Sequence, residues 1–395
     1  MAVATLKPHL AAQIYDNIFD RIYQASEFRD IFNGRFEGNY YNNTSDSGSS
    51  YHDFVIDDPP RIFTYERVSA QYLLKVALPN KFAFRRFLYF LKTNFTLRFR
   101  KKQIYLHHSD PSATYFKGQA LGAKREHYFK KFYNYATKVS FYKVELGTEA
   151  AVSSFVRRLE NLFDLRHIDM TGEHGISAEI LPKMAKVFAK LPCFDVDART
   201  FIAILEESTV SFPHLEYLKL VGNIKRINKI VTTSERFPLL RAVEIVPEDM
   251  MHETNKLIFA ENPFPTIKNF TLSIDDNADD AFTEADFELI KNWLKKFPSL
   301  TEAKIVIKKW IFEYPHDDPK REERLHAAFQ STDFGGAYLD LTFHVECDSY
   351  GPHEELEERF ACFEYDDRFK YSTFIHNDSM PGKKFEHILN LKLDW

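Results

Sequence analysis

The sequence predicts an α/β protein whose central part is a solenoid of strand–helix units. A short pattern that starts with phenylalanine and proline recurs along residues 155–310, and segments with helical periodicity separate its copies. Of the 395 residues, 44% are hydrophobic and 28% are charged, which is typical of a globular chain that forms a core. These observations favour a repetitive array flanked by an N-terminal helical region and a C-terminal cap that contains strands.

The N-terminal part of the chain divides into a helical segment and a polar stretch. Ile14, Ile18 and Ile22 recur every four residues, as expected for one face of an amphipathic helix over residues 8–32. Residues 33–60 are rich in Asn, Ser, Gly and Asp, a composition that buries little apolar surface. We therefore predict five regions: an N-terminal amphipathic helix region (1–32), a flexible linker or loop (33–60), a basic, aromatic-rich α/β region (61–154), the repeat array (155–310) and a C-terminal cap region (311–395).

The repeated pattern is F-P-x-[L/I]-x-x-h-x-h, where h is an apolar residue or Ala. Its starts lie 21 to 33 residues apart, at Leu162, Leu191, Phe212, Phe237, Phe264 and Phe297, the first two being incomplete copies. Proline cannot continue a helix, and the alternating apolar positions after it predict a short strand with one buried face. The residues predicted to be buried on consecutive parallel strands are Leu215, Leu218, Leu220, Leu240, Val243, Ile245, Ile267, Phe270, Leu272, Leu300 and Ile305.

The segments between the copies have the periodicity of amphipathic helices. The clearest runs from Thr283 to Lys296, where Phe287, Ile290 and Trp293 share one face. Thr283 followed three residues later by an acidic residue, Asp286, resembles a capping box at the start of this helix. One strand and one helix in every unit is the arrangement of a right-handed solenoid.

Arrays whose units start with F-P-x-L-x-x-L-x-L resemble the degenerate leucine-rich repeats of ubiquitin-ligase substrate receptors with an N-terminal F-box. The resemblance covers residues 155–310, and the helical segment 8–32 lies where an F-box would lie. It implies a non-enzymatic scaffold that binds a protein partner and delivers it to a cullin-type ligase. The residues that would then contact the ligase adaptor are Ile14, Ile18, Phe19 and Ile22.

Positive charge is concentrated between Lys81 and Glu145, where 15 Lys or Arg residues stand against 3 Asp or Glu. This local net charge of +12 leaves −17 for the remainder, because the whole chain carries −5. Lys and Arg neutralise phosphates and aromatic rings stack on bases, so the alternative interpretation is a nucleic-acid-binding protein. Pairing with acidic residues of the same chain or of a protein partner is the competing explanation. The candidate residues for an anionic partner are Arg98, Arg100, Lys101, Lys102, Lys124, Arg125, Lys130 and Lys131.

Motifs of common enzyme classes are missing from the sequence. It contains no G-x-G-x-x-G, G-x-x-x-x-G-K-[ST], G-x-S-x-G or H-E-x-x-H, and no C-x-x-C pair among its three cysteines. We therefore expect no catalytic residue, cofactor or metal ligand. No secretory signal and no apolar stretch long enough to span a membrane is recognised, so a cytoplasmic or nuclear location without membrane contact is the expectation.

Three polar motifs have an alternative metal-binding interpretation. Asp195-Val196-Asp197 is a D-x-D motif, of the kind that holds a metal in some sugar transferases. Asp275 to Asp280, together with Asp286, has oxygen ligands at the spacing of a calcium loop, but position six lacks glycine. His107 and His108 are adjacent and so point to opposite faces of a strand. We favour solvated loop and surface roles for all three, and the calcium question stays open.

Overall fold

The structure is a computed structural model, and it divides the chain into two compact units, Met1–Leu165 and Arg166–Trp395. The residues that it describes are Gln13, 81–100, 103–108, 115–117, 135–142, Val144, Leu146, 148–171, 179–207, 210–231, 236–248, 265–276, 283–313, 321–349, 364–366 and 372–391. The helix predicted over residues 8–32 and the linker predicted over 33–60 lie outside this part, apart from Gln13. No helix among the described residues is long and apolar enough to cross a membrane.

Among the described residues of the first unit, two helices pack against a four-stranded portion of sheet. Its elements are α1 (Lys81–Asn94), β1 (Phe95–Arg100), β2 (Gln103–His108), β3 (Tyr115–Lys117), β4 (Lys138–Tyr142) and α2 (Glu149–Glu160). The strand order is β3-β2-β1-β4, with β1 antiparallel to β2 and parallel to β4. Phe155 of α2 packs edge-on against Phe99 of β1, with ring centroids 5.1 Å apart, and so holds this helix on the sheet.

In the described part of the second unit, strands and helices alternate from residue 167 to 247 and again from 269 to 349. Its elements are β5 (His167–Met170), a 3₁₀ turn (Leu181–Met184), α3 (Ala185–Phe188), β6 (Cys193–Asp197), α4 (Ala198–Glu206), β7 (Tyr217–Gly222), α5 (Ile224–Val231), β8 (Ala242–Pro247), β9 (Asn269–Asp276), α6 (Glu284–Leu294), β10 (Glu302–Glu313), α7 (Arg321–Ser331), β11 (Tyr338–Ser349), β12 (Glu364–Asp366), β13 (Ser372–Met380) and β14 (Lys383–Leu391). The chain is therefore α/β with a large, mostly parallel sheet, as the sequence predicts.

The sheet of the second unit follows chain order from β5 to β11, and every described neighbour pair in that run is parallel. The order then becomes β11-β14-β13-β12. Strand β14 is parallel to β11, whereas β13 and β12 run antiparallel and form the edge. The predicted end of the array at 310 falls inside β10, and the predicted boundary at 154 falls inside α2. Alternation continues through α7 and β11, because Leu325 and Phe329 give α7 a buried face like that of the preceding helices.

The predicted core of the repeats is confirmed with one exception. Strands β7 and β8 are neighbours in parallel register, with Leu218 opposite Val243 and Leu220 opposite Ile245. All of the apolar residues predicted to be buried on these strands and on β9 and β10 are inaccessible to solvent, whereas Leu300, in the turn before β10, is half-buried. The alternation of buried and half-buried positions along each strand shows which face meets the helices.

Each F-P-x-L segment is a turn that starts a strand. The backbone N–H of the fourth residue donates to the carbonyl of the first, from Leu215 to Phe212, Leu240 to Phe237 and Leu300 to Phe297, at 3.1–3.3 Å. Proline suits the second position of such a turn because its fixed φ is the one required there. Phenylalanine at the first position is buried, and Phe212 lies 5.8 Å from Phe237 between ring centroids.

Successive turns are joined by shared backbone hydrogen bonds. One carbonyl of each unit accepts from two consecutive N–H groups of the next unit, at 2.7–3.1 Å. The accepting carbonyls are those of Pro192, Glu216, Arg241 and Lys268. A fifth carbonyl, on Thr301, accepts a single bond of 2.9 Å from Tyr338, so the same edge extends to β11. These bonds keep the strand starts in register although the connections differ in length.

We predict that two adjacent leucines in one turn differ sharply in their contribution to stability. Leu240, at the fourth position of the pattern, has no exposed surface, whereas the neighbouring Leu239 is 41% exposed. Leu240→Ala should lower the free energy of unfolding by about 2–5 kcal/mol, because it leaves a cavity. Leu239→Ala should change it by about 0.5 kcal/mol. Urea denaturation followed by circular dichroism measures both, and equal effects would contradict the turn register.

Candidate functional site

The face of the parallel sheet opposite the buried apolar side chains is polar. Along β5 to β11, every second residue points away from the core and is half-buried or exposed. We call this surface the open face and define it by outward residues in the described strands, which include Asp169, Asp195, Lys219, Glu244, Thr271, Lys304, Lys308, Asp340 and Lys384.

One row of the open face has charges of alternating sign. Register places Asp195 opposite Lys219 and Lys219 opposite Glu244, and Lys219 Nζ lies 2.6 Å from Glu244 Oε1. Further along the sheet, Asp340 is opposite Lys304 on one side and Lys384 on the other. Cross-strand neighbours of opposite charge stabilise a sheet.

Tyr217 and Glu244 fix each other on the open face. The Tyr217 hydroxyl donates a hydrogen bond of 2.7 Å to Glu244 Oε2, while Lys219 contacts the other carboxylate oxygen. Partial burial, reinforced by the bond to Glu244 and by the charge of Asp195, raises the pKa of Tyr217 far above its usual range. The hydroxyl therefore remains a donor at physiological pH, and the carboxylate is held in one orientation.

The D-x-D motif has structural roles for both of its carboxylates. Asp197 is the N-cap of α4, and its Oδ1 accepts from the N–H groups of Arg199 at 2.9 Å and Thr200 at 3.1 Å. Asp195 lies on the open face, where its Oδ2 is 3.0 Å from Nε2 of His167. The two side chains of the motif thus have different partners in the described structure, in agreement with the structural interpretation of the sequence.

The acidic loop before α6 has one carboxylate whose role the structure describes. Asp286 Oδ2 accepts the Thr283 N–H at 2.6 Å and contacts Thr283 Oγ1 at 3.1 Å, which is the expected capping box. The remaining residues of the candidate calcium loop between 277 and 282 lie outside the described part of the chain. Asp286 is thereby accounted for as a helix cap.

Of the eight basic residues predicted to bind an anionic partner, the structure describes the side chain of Arg98. It is half-buried on β1, and its Nε donates to Ser140 Oγ on β4 at 3.3 Å. For Arg100, His107 and His108 the structure describes the strand backbone, and the other predicted basic residues lie outside the described part. The candidate adaptor-binding residues Ile14, Ile18, Phe19 and Ile22 lie outside it as well.

A cluster of histidines and carboxylates lies under α7, on the helix-covered side of the sheet. Nδ1 of His326, on α7, lies 2.6 Å from Asp378 Oδ2 on β13. His376 Nε2, also on β13, is 3.3 Å from the other oxygen of Asp378. His387 on β14 is fully buried, and its Nδ1 lies 3.4 Å from His326 Nε2 and 3.7 Å from Glu322 Oε2. We call these five residues the histidine cluster.

Burial determines the charge state of the histidine cluster. Desolvation lowers the pKa of His326, more than the hydrogen bond to Asp378 raises it, and lowers the pKa of His387 well below its usual value. For Asp378, burial opposes ionisation, but the hydrogen bonds and charges of His326 and His376 together lower its pKa. Burial thus favours the neutral form of His326 and His387. The sequence analysis missed this group because its members are up to 65 residues apart in the chain.

No protein-family model matches the chain. No curated protein matches it either. Four chains of solved structures match, and one is from the crystal structure of the TLR13–ssRNA13 complex, at 12% sequence identity and a TM-score of 0.29. That match covers 55% of this chain and 31% of the other, so this chain spans about a third of the length of that one. A TM-score of 0.29 is too low to establish a shared fold.

The capping role of Asp197 gives a testable prediction. Asp197→Ala should lower the free energy of unfolding by about 1 kcal/mol, because two N–H groups at the start of α4 lose their acceptor. Asp275→Ala, which removes an exposed aspartate from β9, is the control and should change it by about 0.5 kcal/mol or less. Urea denaturation with and without Mn²⁺ makes the comparison. Stabilisation by Mn²⁺ that disappears in Asp197→Ala would favour the metal interpretation of the motif instead.

Proposed function

We propose that the chain is a non-enzymatic scaffold that binds a protein partner on the open face of its parallel sheet. The single observation that supports this most directly is the open face itself, where alternate residues of successive parallel strands are accessible and carry ordered charges. We further propose that the strand–helix units form a degenerate leucine-rich-repeat solenoid. Its registered turns and F-P-x-L pattern are what support this narrower statement.

Physical properties of the open face suit recognition of a folded or extended polypeptide. Some of its side chains are half-buried and held by hydrogen bonds and ion pairs, as Tyr217, Lys219 and Glu244 illustrate, so these lose little conformational entropy on binding. Alternating charges favour a partner whose charges are complementary and disfavour others. A protein surface carries both signs at this spacing, whereas a nucleic-acid backbone presents a single sign.

A pair of matched charge reversals tests partner binding on the open face. Lys304→Glu with Lys308→Glu reverses two exposed lysines of β10 that point outward from the sheet. Lys295→Glu with Lys296→Glu reverses two exposed lysines at the end of α6 and is the control with equal charge change. Proteins recovered with the tagged wild-type chain from cell extract, quantified by mass spectrometry, should fall at least tenfold for the first variant and remain unchanged for the control.

Thermal unfolding of both double variants must be measured alongside, so that loss of partner is separated from loss of fold. If both folded variants recover as much partner protein as the wild type, the open face is not the binding surface. If both double variants lose the partner proteins equally, the loss reflects a general effect of the charge change on the chain.

A narrower version of the proposal is the substrate-receptor role in a cullin-type ubiquitin ligase. It rests on the resemblance of the repeat pattern and on the helix predicted over residues 8–32. We predict that a purified ligase adaptor is retained by the wild-type chain and not by Ile18→Asp, because an aspartate in an apolar helical stripe abolishes docking. Lys295→Glu is the control. Absence of adaptor binding by the folded wild-type chain would remove this role and leave the scaffold proposal intact.

Nucleic-acid binding through residues 81–145 is the second candidate, supported by the local charge of +12. If it holds, the logarithm of the affinity for single-stranded RNA should fall linearly with the logarithm of the salt concentration. Reversing the charges of Arg98, Arg100, Lys101 and Lys102 should reduce the slope of this dependence. Our expectation is the opposite, because acidic residues of the same chain are available as partners. Filter binding at two salt concentrations decides, and micromolar binding lost at the higher salt would show the expectation to be wrong.

A further inference from the structure

We propose that His326, His376 and Asp378 form a binding site for a divalent first-row transition ion of the zinc type. One ligand atom from each of these residues lies within 4.8 Å of the other two. This inference is independent of the scaffold function, because the three residues lie on the helix-covered side of the sheet and the proposed partner surface lies on the other.

Distances within the site are close to those that a bound ion requires. Metal–nitrogen and metal–oxygen bonds of about 2.0–2.1 Å place ligand atoms of a tetrahedral ion about 3.4 Å apart. Asp378 Oδ1 is 3.3 Å from His376 Nε2, and Asp378 Oδ2 is 2.6 Å from His326 Nδ1. These two contacts use different oxygens of Asp378, so an ion held by one of them requires the carboxylate and the imidazoles to adjust their positions. In the absence of metal, a hydrogen bond joins His326 Nδ1 and Asp378 Oδ2, and ion binding would replace it.

The kinds of ligand select the kind of ion. Two imidazole nitrogens with one carboxylate oxygen suit zinc and neighbouring transition ions, whereas Mg²⁺ and Ca²⁺ prefer oxygen ligands alone. Three protein ligands leave one coordination position for water. The His376 and Asp378 side chains are 21% and 14% exposed, so an ion can enter from solvent.

A second layer of side chains orients His326. A metal-bound histidine ordinarily donates its other ring N–H to a protein acceptor. His326 Nε2 faces His387 Nδ1 at 3.4 Å, and Glu322 Oε2 lies 3.7 Å from the same His387 nitrogen. When the ion binds His326 Nδ1, the ring proton resides on Nε2, which faces His387 Nδ1. Asp378 and Glu322 each place a carboxylate in this neighbourhood, and Arg321 Nη1 contacts Glu322 at 3.4 Å.

Rigid elements carry the ligands. The Lys383 ammonium at the start of β14 donates to the carbonyls of Phe329, Gln330 and Thr332 at 2.8–2.9 Å, which fixes the C-terminal end of α7 on the hairpin of β13 and β14. Phe329 of α7 packs against Phe385 of β14, with centroids 5.0 Å apart. An ion bound between α7 and β13 would join the last helix to the hairpin at the sheet edge, which is otherwise held by these contacts.

Calorimetric titration of the full, metal-free chain with ZnCl₂ tests the site. We expect one Zn²⁺ per chain, no binding of Mg²⁺, and a higher unfolding temperature with zinc, because the ion binds the folded state. Loss of an outer partner typically weakens metal binding about 10- to 100-fold, so loss of a direct ligand should weaken it about 100-fold or more. The variants are Asp378→Asn, which keeps the size of the side chain, and His376→Asn. His214→Ala, which removes an exposed histidine, is the control and should bind like the wild type.

Cobalt provides a measurement that does not depend on any variant. Co²⁺ bound to two nitrogens and one oxygen in a four- or five-coordinate site gives visible d–d absorption, which Zn²⁺ should abolish in equimolar competition. A wild-type chain without this absorption and without saturable zinc binding would overturn the proposal. So would folded Asp378→Asn and His376→Asn chains that bind zinc as the wild type does.

Discussion

The shared backbone hydrogen bonds between successive turns are the constraint on which the rest of the second unit depends. A single carbonyl in each unit accepts from two N–H groups of the next, from Pro192 to Lys268 along the same edge. Because backbone groups make these bonds, they do not depend on the identity of the side chains. They set the register of every strand at its first residue, and a parallel ladder then follows without further adjustment.

Buried phenylalanines add side-chain packing to the backbone hydrogen bonds of the turns. The rings of Phe194, Phe201 and Phe212 lie 5.4–5.9 Å apart, and Phe237 continues the same cluster. Since the apolar half of each strand meets these rings and the helices, the polar half is left on the open face. The same period-two pattern thus produces both a core and a polar surface on the opposite face of the sheet.

Local patterns were sufficient to predict the repeated elements. The turn at Phe237, the strand that follows it and the capping box at Thr283 are each encoded within a few residues, and the structure shows all three. The open face followed from the alternation along the strands. The histidine cluster could not be predicted in this way, because His326, His376 and Asp378 are brought together by the return of β14 beside β11, a pairing that no local pattern specifies.

Strand β11 continues the parallel run of strands although the segment before it lacks the F-P-x-L pattern. The pattern F-P-x-L is absent after Phe297, yet β11 pairs with β10 in the same parallel register and its first N–H bonds to Thr301. A turn of different sequence can therefore occupy the same place, provided that its backbone can donate to the preceding unit. The F-P-x-L pattern identifies the turn sequences that are favoured. The backbone hydrogen bond to the preceding unit determines which other sequences can form the turn.

The alignment of the strand starts at one edge of the sheet restricts where such a chain can change in evolution. The starts of the units are 21 to 33 residues apart, and the extra length lies in the connections that leave the strands. Insertions and deletions there leave the strand starts joined, so the helical side can accumulate length changes while the geometry of the opposite face persists. Homologous chains should therefore vary in connection length far more than in strand length. Whole units should also be the natural increment by which the array is lengthened or shortened in evolution or in design.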